Sequence, residues 1–194
     1  MAEFRKKIVK RGAISTAEVL NGPVRRRNKK HLLIGYVHNE YPPIYTMLAR
    51  HSGFNSTFLM RGTEGCVTPS LRKRSEFVRY WEQSEAVVVE ADPSKIGIEQ
   101  ENRLVPISHA LMPIIDREFG PDENNAEIAK LAAKEGLAAI EGKKVPPVIY
   151  SASLTLWHLG RYDSVPDAAS MVSEILFSGN TAARFRRAAC VNYL

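Results

Sequence analysis

Two short loops carry the residues of this chain best suited to chemistry, His38-Asn39-Glu40 and Arg61-Gly62-Thr63-Glu64-Gly65. Gly62 and Gly65 let the backbone take positive φ and approach a bound group closely, and Arg61 offers a planar charged fork matched to phosphate. His38 adds a titratable ring and Glu64 a carboxylate. His38, Arg61, Gly62, Thr63, Glu64 and Gly65 are therefore the candidate ligand- or phosphate-binding residues. The same pattern also serves as a tight turn with no ligand, so the placement of the two loops decides what they can do.

The elements around them predict that placement. His31-Leu-Leu-Ile-Gly-Tyr-Val37 is an apolar run bounded by charge, as expected of a strand buried on both faces. Pro42-Pro43 suit the first turn of a helix running to about His51, which Gly53 ends. Ser56-Thr-Phe-Leu-Met60 reads as a second strand, closed by the Arg61–Gly65 loop. Strand, helix and strand over so few residues make a βαβ unit with a parallel pair and a right-handed connection. In an open α/β sheet, ligands bind beyond the carboxyl ends of parallel strands, so the two loops should lie side by side in one shallow pocket.

Further along, residues 77–82 and 86–91 pair as a hairpin whose turn lacks glycine, ended by Asp92-Pro93. From Asn124 the apolar spacing changes to three- and four-residue steps, predicting helices over 125–141, 147–159, 165–178 and 180–191. Leu156, Trp157 and Phe177 are expected to pack helices on the sheet. The fold class is thus α/β: a partial parallel sheet with a βαβ unit, a hairpin and a C-terminal helical cluster.

A chain of 194 residues, 44% of them hydrophobic, can bury a core. It holds no stretch near the roughly 20 apolar residues of a membrane span, and its start lacks the apolar centre of a secretory signal. A cytoplasmic protein without membrane contact is expected. Cys66 and Cys190 lack metal-ligand spacing and read as reduced thiols, so no metal is expected.

The formal charge of +6 is unevenly spread. Residues 1–31 hold Arg5, Lys6, Lys7, Lys10, Arg11, Arg25, Arg26, Arg27, Lys29 and Lys30 against Glu3 and Glu18, a net of +8 that leaves −2 for the remainder. These ten side chains are the candidate nucleic-acid contacts. Between them, residues 14–20 read as a short helix with Ser15 or Thr16 as cap, stopped by Asn21-Gly22-Pro23. A solvated basic tail is the alternative reading of the run.

In order and spacing, the segment from Arg11 to Pro23, then HLLIGYVHNEYPP, FLMRGTEG and the helical tail VIYSASLTLWHLGRYDSVPDAASMVSEILFSGNTAARF resemble the C-terminal half of the anthranilate phosphoribosyltransferase family. The resemblance runs from about Arg11 through nearly the whole chain. It divides the chain into a basic segment at 1–30 and a glycosyltransferase-like α/β domain at 31–194. RGTEG in place of the enzymes' HGxDG, with YVHNEY, is closest to a branch of that family that binds nucleic acid. The enzymes follow their motif with a Leu-Asp-Glu triplet that helps hold Mg²⁺ on the pyrophosphate of phosphoribosyl pyrophosphate, where this chain has Cys66, Val67 and Thr68. Valine offers a hard cation no side-chain oxygen. Arg11 matches an arginine that meets the aromatic acceptor in the enzymes, whereas the family's glycine-rich pyrophosphate loop has no counterpart here.

The resemblance therefore implies a non-catalytic protein, with no catalytic residues and no cofactor. It would bind single-stranded nucleic acid with little sequence preference or act in assembly, as a homodimer or with a partner chain covering an open sheet edge. The alternative is one piece of an active phosphoribosyltransferase whose pyrophosphate-binding half comes from another chain. Mg²⁺ and phosphoribosyl pyrophosphate enter only under that alternative.

Overall fold

The computed structural model describes residues 20, 29–63, 66–104, 109, 122–140 and 145–191. They fall into two compact units. The first comprises the described residues up to Val67 together with Glu76–Glu90, and the second Thr68–Ser75 together with the described residues from Ala91 onward.

The first unit is built on strand β1 (His31–Gly35), helix α1 (Tyr41–His51), strand β2 (Ser56–Met60), strand β3 (Ser75–Trp81) and strand β4 (Val87–Ala91). They form one four-stranded sheet in the order β1-β2-β3-β4. β1 and β2 are parallel, with Leu33 opposite Phe58 and Gly35 opposite Met60. β3 returns antiparallel to β2, with Phe77 opposite Met60. The expected βαβ unit is present, and β3 and β4 are the adjacent pair expected of the hairpin.

β2 is buried at all five residues because strands flank it on both sides. Its Leu59 joins Leu32, Ile34, Tyr36, Ala49 and Tyr80 in one core, with Tyr41, Tyr45, Leu48 and Phe54 packed against it. Phe58 points the other way and stacks on Phe77 at 5.4 Å. β1 corrects an expectation: it is not buried on both faces but alternates, with Leu32 and Ile34 inside and Leu33 36% exposed. Its place at the end of the sheet explains the difference, since an apolar run states that a strand is wanted by the core but not how many neighbours it has.

Pro42 and Pro43 open α1 as expected, and Arg50 and His51 sit in its last turn, where positive charge meets the helix dipole. Gly53 closes it at φ +74°, donating its N–H to the Arg50 carbonyl at 2.9 Å. The glycine-free turn after β3 is solved differently. Glu82 itself takes φ 49°, its N–H donates to the Asn55 carbonyl, and Arg50 donates to the carbonyls of Glu82 and Ser84 while lying 4.0 Å over the Tyr80 ring. A left-handed glutamate persists here because the neighbours fix the turn from three sides.

The second unit holds a 3₁₀ turn (Pro93–Ile96) and helices α2 (Asp122–Ile140), α3 (Pro146–His158), α4 (Val165–Phe177) and α5 (Asn180–Val191). These lie within three residues of the predicted helical bounds. Pro146 and Pro147 start α3, and Ser164 caps α4 by accepting from the Asp167 N–H at 3.2 Å. α3 packs on α4, and α4 on both α5 and the 3₁₀ turn. Ile149, Ala169, Val172 and Leu176 form the core of this packing, with Ile96, Ala152 and Leu156 against it. Leu156 thus packs as core, but among helices; Trp157 is half-buried, and Phe177, the last residue of α4, is 51% exposed. No described helix is long and apolar enough to cross a membrane. The short helix expected at 14–20 lies outside the described residues but for Leu20, which is helical and buried.

Candidate functional site

The parallel register ends β1 and β2 together, Gly35 beside Met60, so the segments that follow leave the sheet at the same end. Tyr36 extends the ladder by one bond, its N–H donating to the Met60 carbonyl at 2.9 Å, and its ring enters the core. Burial raises the Tyr36 hydroxyl pKa; the Arg61 charge opposes this and that of Glu76 adds to it. Arg61 and Glu76 therefore both act electrostatically at this end of the sheet. Glu76 comes there because β3 runs back from the carboxyl end of β2, a position no local pattern in the sequence reveals.

His38 is exposed beyond β1, and its carbonyl accepts the Tyr41 N–H at 3.2 Å. Its ring tilts against Tyr41 at 5.9 Å, and Tyr41 against Tyr45 at 5.3 Å, a row of three rings along the start of α1. Arg61 is exposed and Gly62 half-buried, with the Gly62 N–H turned back to the Met60 carbonyl at 2.8 Å. Thr63 accepts from both the backbone N–H and the thiol of Cys66, at 3.2 and 2.8 Å. Glu64 and Gly65 lie outside the described residues. The Gly62 amide and the Thr63 carbonyl are thus spent on the loop itself, leaving Arg61 as the group that faces solvent.

Neither family models nor curated proteins give a match to this chain.

Cys66 and Val67 are exposed and Thr68 is half-buried. Cys66 and Val67 supply no side-chain oxygen and Thr68 only a neutral hydroxyl, so these residues offer Mg²⁺ no carboxylate, and no group of three or more described His, Cys, Asp or Glu residues is arranged to hold a metal. Of the ten basic residues singled out before 31, only Lys29 and Lys30 are described; Arg5, Lys6, Lys7, Lys10, Arg11, Arg25, Arg26 and Arg27 lie outside. Both described lysines are tied into the first unit. Lys29 pairs with Glu82, and Lys30 donates to the Ser52 carbonyl at 2.9 Å with its ammonium 5.2 Å from the Phe54 ring centre.

In the second unit, a cleft of about 290 Å³ is lined by residues that include Arg72, Asp92, Glu99 and Glu101. Asp92 is held below the usual carboxylate range chiefly by the Ser94 hydroxyl, then by the Ser94 N–H and the Lys95 and Arg74 charges. It accepts both Ser94 groups, at 2.7 and 2.9 Å, and so works as the cap of the 3₁₀ turn. The arrangement is that of a structural carboxylate, stabilised in its charged form and unsuited to taking up a proton near neutral pH.

Proposed function

We propose that this chain is a degenerate member of the anthranilate phosphoribosyltransferase-like group that binds single-stranded nucleic acid, or assembles on it, without catalysing transfer. The observation that carries the reading is the segregation of charge, +8 over residues 1–31 against −2 over the rest. Lysine and arginine on phosphates release counterions, giving affinity that tolerates sequence and falls steeply with salt. The exposed Arg61 and the row of tilted rings of His38, Tyr41 and Tyr45 support it, since a cation suits phosphate and ring faces suit bases. Cys66, Val67 and Thr68, in place of a carboxylate pair, argue against catalysis.

The test is binding of a fluorescein-labelled oligo-dT 20-mer, titrated across salt concentration, to the wild type and to the combined Arg25→Ala, Arg26→Ala, Arg27→Ala variant. At roughly 0.7 log units of slope per contact, two to three lost contacts weaken binding between 25-fold and a hundred-fold at about 0.1 M salt. Unchanged affinity and slope would assign the run to an acidic partner chain.

One observation favours a second reading. β1 pairs with β2 alone among the described residues, so the far edge of the sheet is where strands from another chain would add. Co-purification with a chain bearing a glycine-rich pyrophosphate loop, together with transfer to anthranilate by the pair in Mg²⁺, would establish it. The chain alone should yield no phosphoribosyl anthranilate.

A further inference from the structure

Counted over whole regions, the chain beyond residue 31 shows no excess of positive charge, yet its last described helix is strongly basic. α5 carries Arg184, Arg186 and Arg187 and no acidic residue. Its buried anchor is Ala182, 4% exposed, and α4 and α2 are the helices it packs against. At about 100° per residue, Arg184 and Arg187 fall on the side of the helix away from Ala182, with Phe185 on its flank. Residues 183–188 are all exposed, Phe185 at 54%. Arg184, Phe185 and Arg187 have no side-chain partner among the described residues.

Three observations set this face apart from an ordinary solvated one. Its charge is of one sign, with no carboxylate on the helix to pair at three or four residues' spacing. Phe185, next in sequence to Arg184 and about 100° round the helix from it, stands exposed on the adjoining flank, where a solvated helix would carry a polar side chain. The two outward arginines lie about 5 Å apart along the axis, close enough to meet neighbouring phosphates of one strand. An anionic lipid surface would call for a continuous apolar stripe beside the charge, and α5 exposes one large apolar side chain in its described part.

We infer that the outward face of α5, with Arg184 and Arg187 on phosphates, together with the adjoining flank on which Phe185 stands next to Arg184 and can lie under a base, is a second contact surface for single-stranded nucleic acid. The inference rests on the nucleic-acid reading above and deepens it. It makes the C-terminal helix a binding element separate in sequence from the basic segment before residue 31. Arginine suits the task because its fork meets phosphate oxygens in pairs, and every base offers a π-face to Phe185.

The experiment uses the full chain, the same oligo-dT probe across salt, and the Arg184→Ala, Arg187→Ala double variant, the Arg184→Lys, Arg187→Lys double variant, and Phe185→Ala. Loss of two phosphate contacts flattens the log–log slope by about 1.4 and weakens binding roughly 25-fold at 0.1 M salt. The lysine pair restores the slope. Phe185→Ala weakens binding about five-fold or more with the slope unchanged. Circular dichroism and the unfolding midpoint stay at wild-type values, since the altered side chains lie outside the core.

If the wild type binds, the Arg25–Arg27 variant loses affinity and the α5 variants do not, the inference falls while the proposed function stands. A wild type that ignores the oligonucleotide overturns both. Wild-type binding to phosphatidylserine vesicles that the α5 variants lose, with oligonucleotide binding unaffected, would replace this inference by a membrane contact.

Discussion

Lys29 and Lys30 on one side, and Arg184 and Arg187 on the other, carry the same charge to opposite ends. Lys29 and Arg50 meet at the turn after β3, Lys29 on Glu82 and Arg50 on the carbonyls of Glu82 and Ser84, while Lys30 spans Ser52 and Phe54 in the turn after α1. Arg184 and Arg187 of α5 reach into solvent. Cationic side chains therefore divide into those already spent on backbone carbonyls and rings and those left to meet an outside partner. Only the neighbours tell the two apart.

The largest expected effect comes from removing the cation most deeply committed to the fold. Arg50→Ala takes two charge-assisted bonds from the carbonyls of a turn whose Glu82 sits at φ 49°, and it uncovers the Tyr80 ring. A loss of about 2 kcal/mol is expected in urea unfolding. Trp81, the last residue of β3 beside this turn, and Trp157 in α3 are the fluorescent reporters. The Arg184→Ala, Arg187→Ala pair should stay within about 0.5 kcal/mol of wild type. Equal losses at both places would erase the distinction.

How much of this could be read from the chain alone follows the same division. The parallel pair, the Pro-Pro helix start and four C-terminal helices were legible because each rests on local spacing or local backbone preference. The exposure of Leu33 and the arrival of Glu76 beside Tyr36 were not, because both depend on strand order, which no window of residues encodes. The turn at Glu82 escaped for a related reason: its left-handed backbone is imposed by Arg50 and Asn55, 32 and 27 positions earlier. The basic face of α5 was hidden by averaging, since −2 over the region beyond residue 31 conceals three arginines on one helix. Phe177 read as core because an aromatic at helical spacing does, but the last residue of a helix has no following turn to cover it.

A smaller effect sharpens the comparison. Lys30→Ala removes one bond to the Ser52 carbonyl and the ammonium lying 5.2 Å over the Phe54 ring, and should lower stability by about 1 kcal/mol. Lys30→Met keeps the stem and drops the charge. If the methionine variant recovers most of the loss, Lys30 acts by covering the ring; if it recovers none, the ammonium-to-carbonyl bond is what matters. Lys29→Ala, by contrast, breaks an ion pair whose two side chains are 58% and 46% exposed, and should change stability by less than about 0.5 kcal/mol.

The smallest effect belongs to an anion in the same structural role. Asp92 caps the 3₁₀ turn through Ser94, and its folded pKa is depressed mainly by that hydroxyl. The sign follows from linkage: a carboxyl whose folded pKa lies below its unfolded value stabilises the fold in full above the unfolded value, near pH 3.9, and that contribution is lost as pH falls through the folded pKa. Asp92→Asn keeps an oxygen able to accept from the Ser94 N–H but has no proton to take up. The wild type and this variant should therefore differ most at neutral pH and converge as the pH falls through the folded pKa, as read from unfolding midpoints in increasingly acid buffer. Because Asp92 keeps contact with solvent, the difference is the smallest of the expected effects and should shrink further as salt is raised. A gap between the two proteins that widens on acidification would mean that Asp92 is protonated more easily in the folded chain than in the unfolded one, contrary to the capping role its Ser94 bonds assign to it.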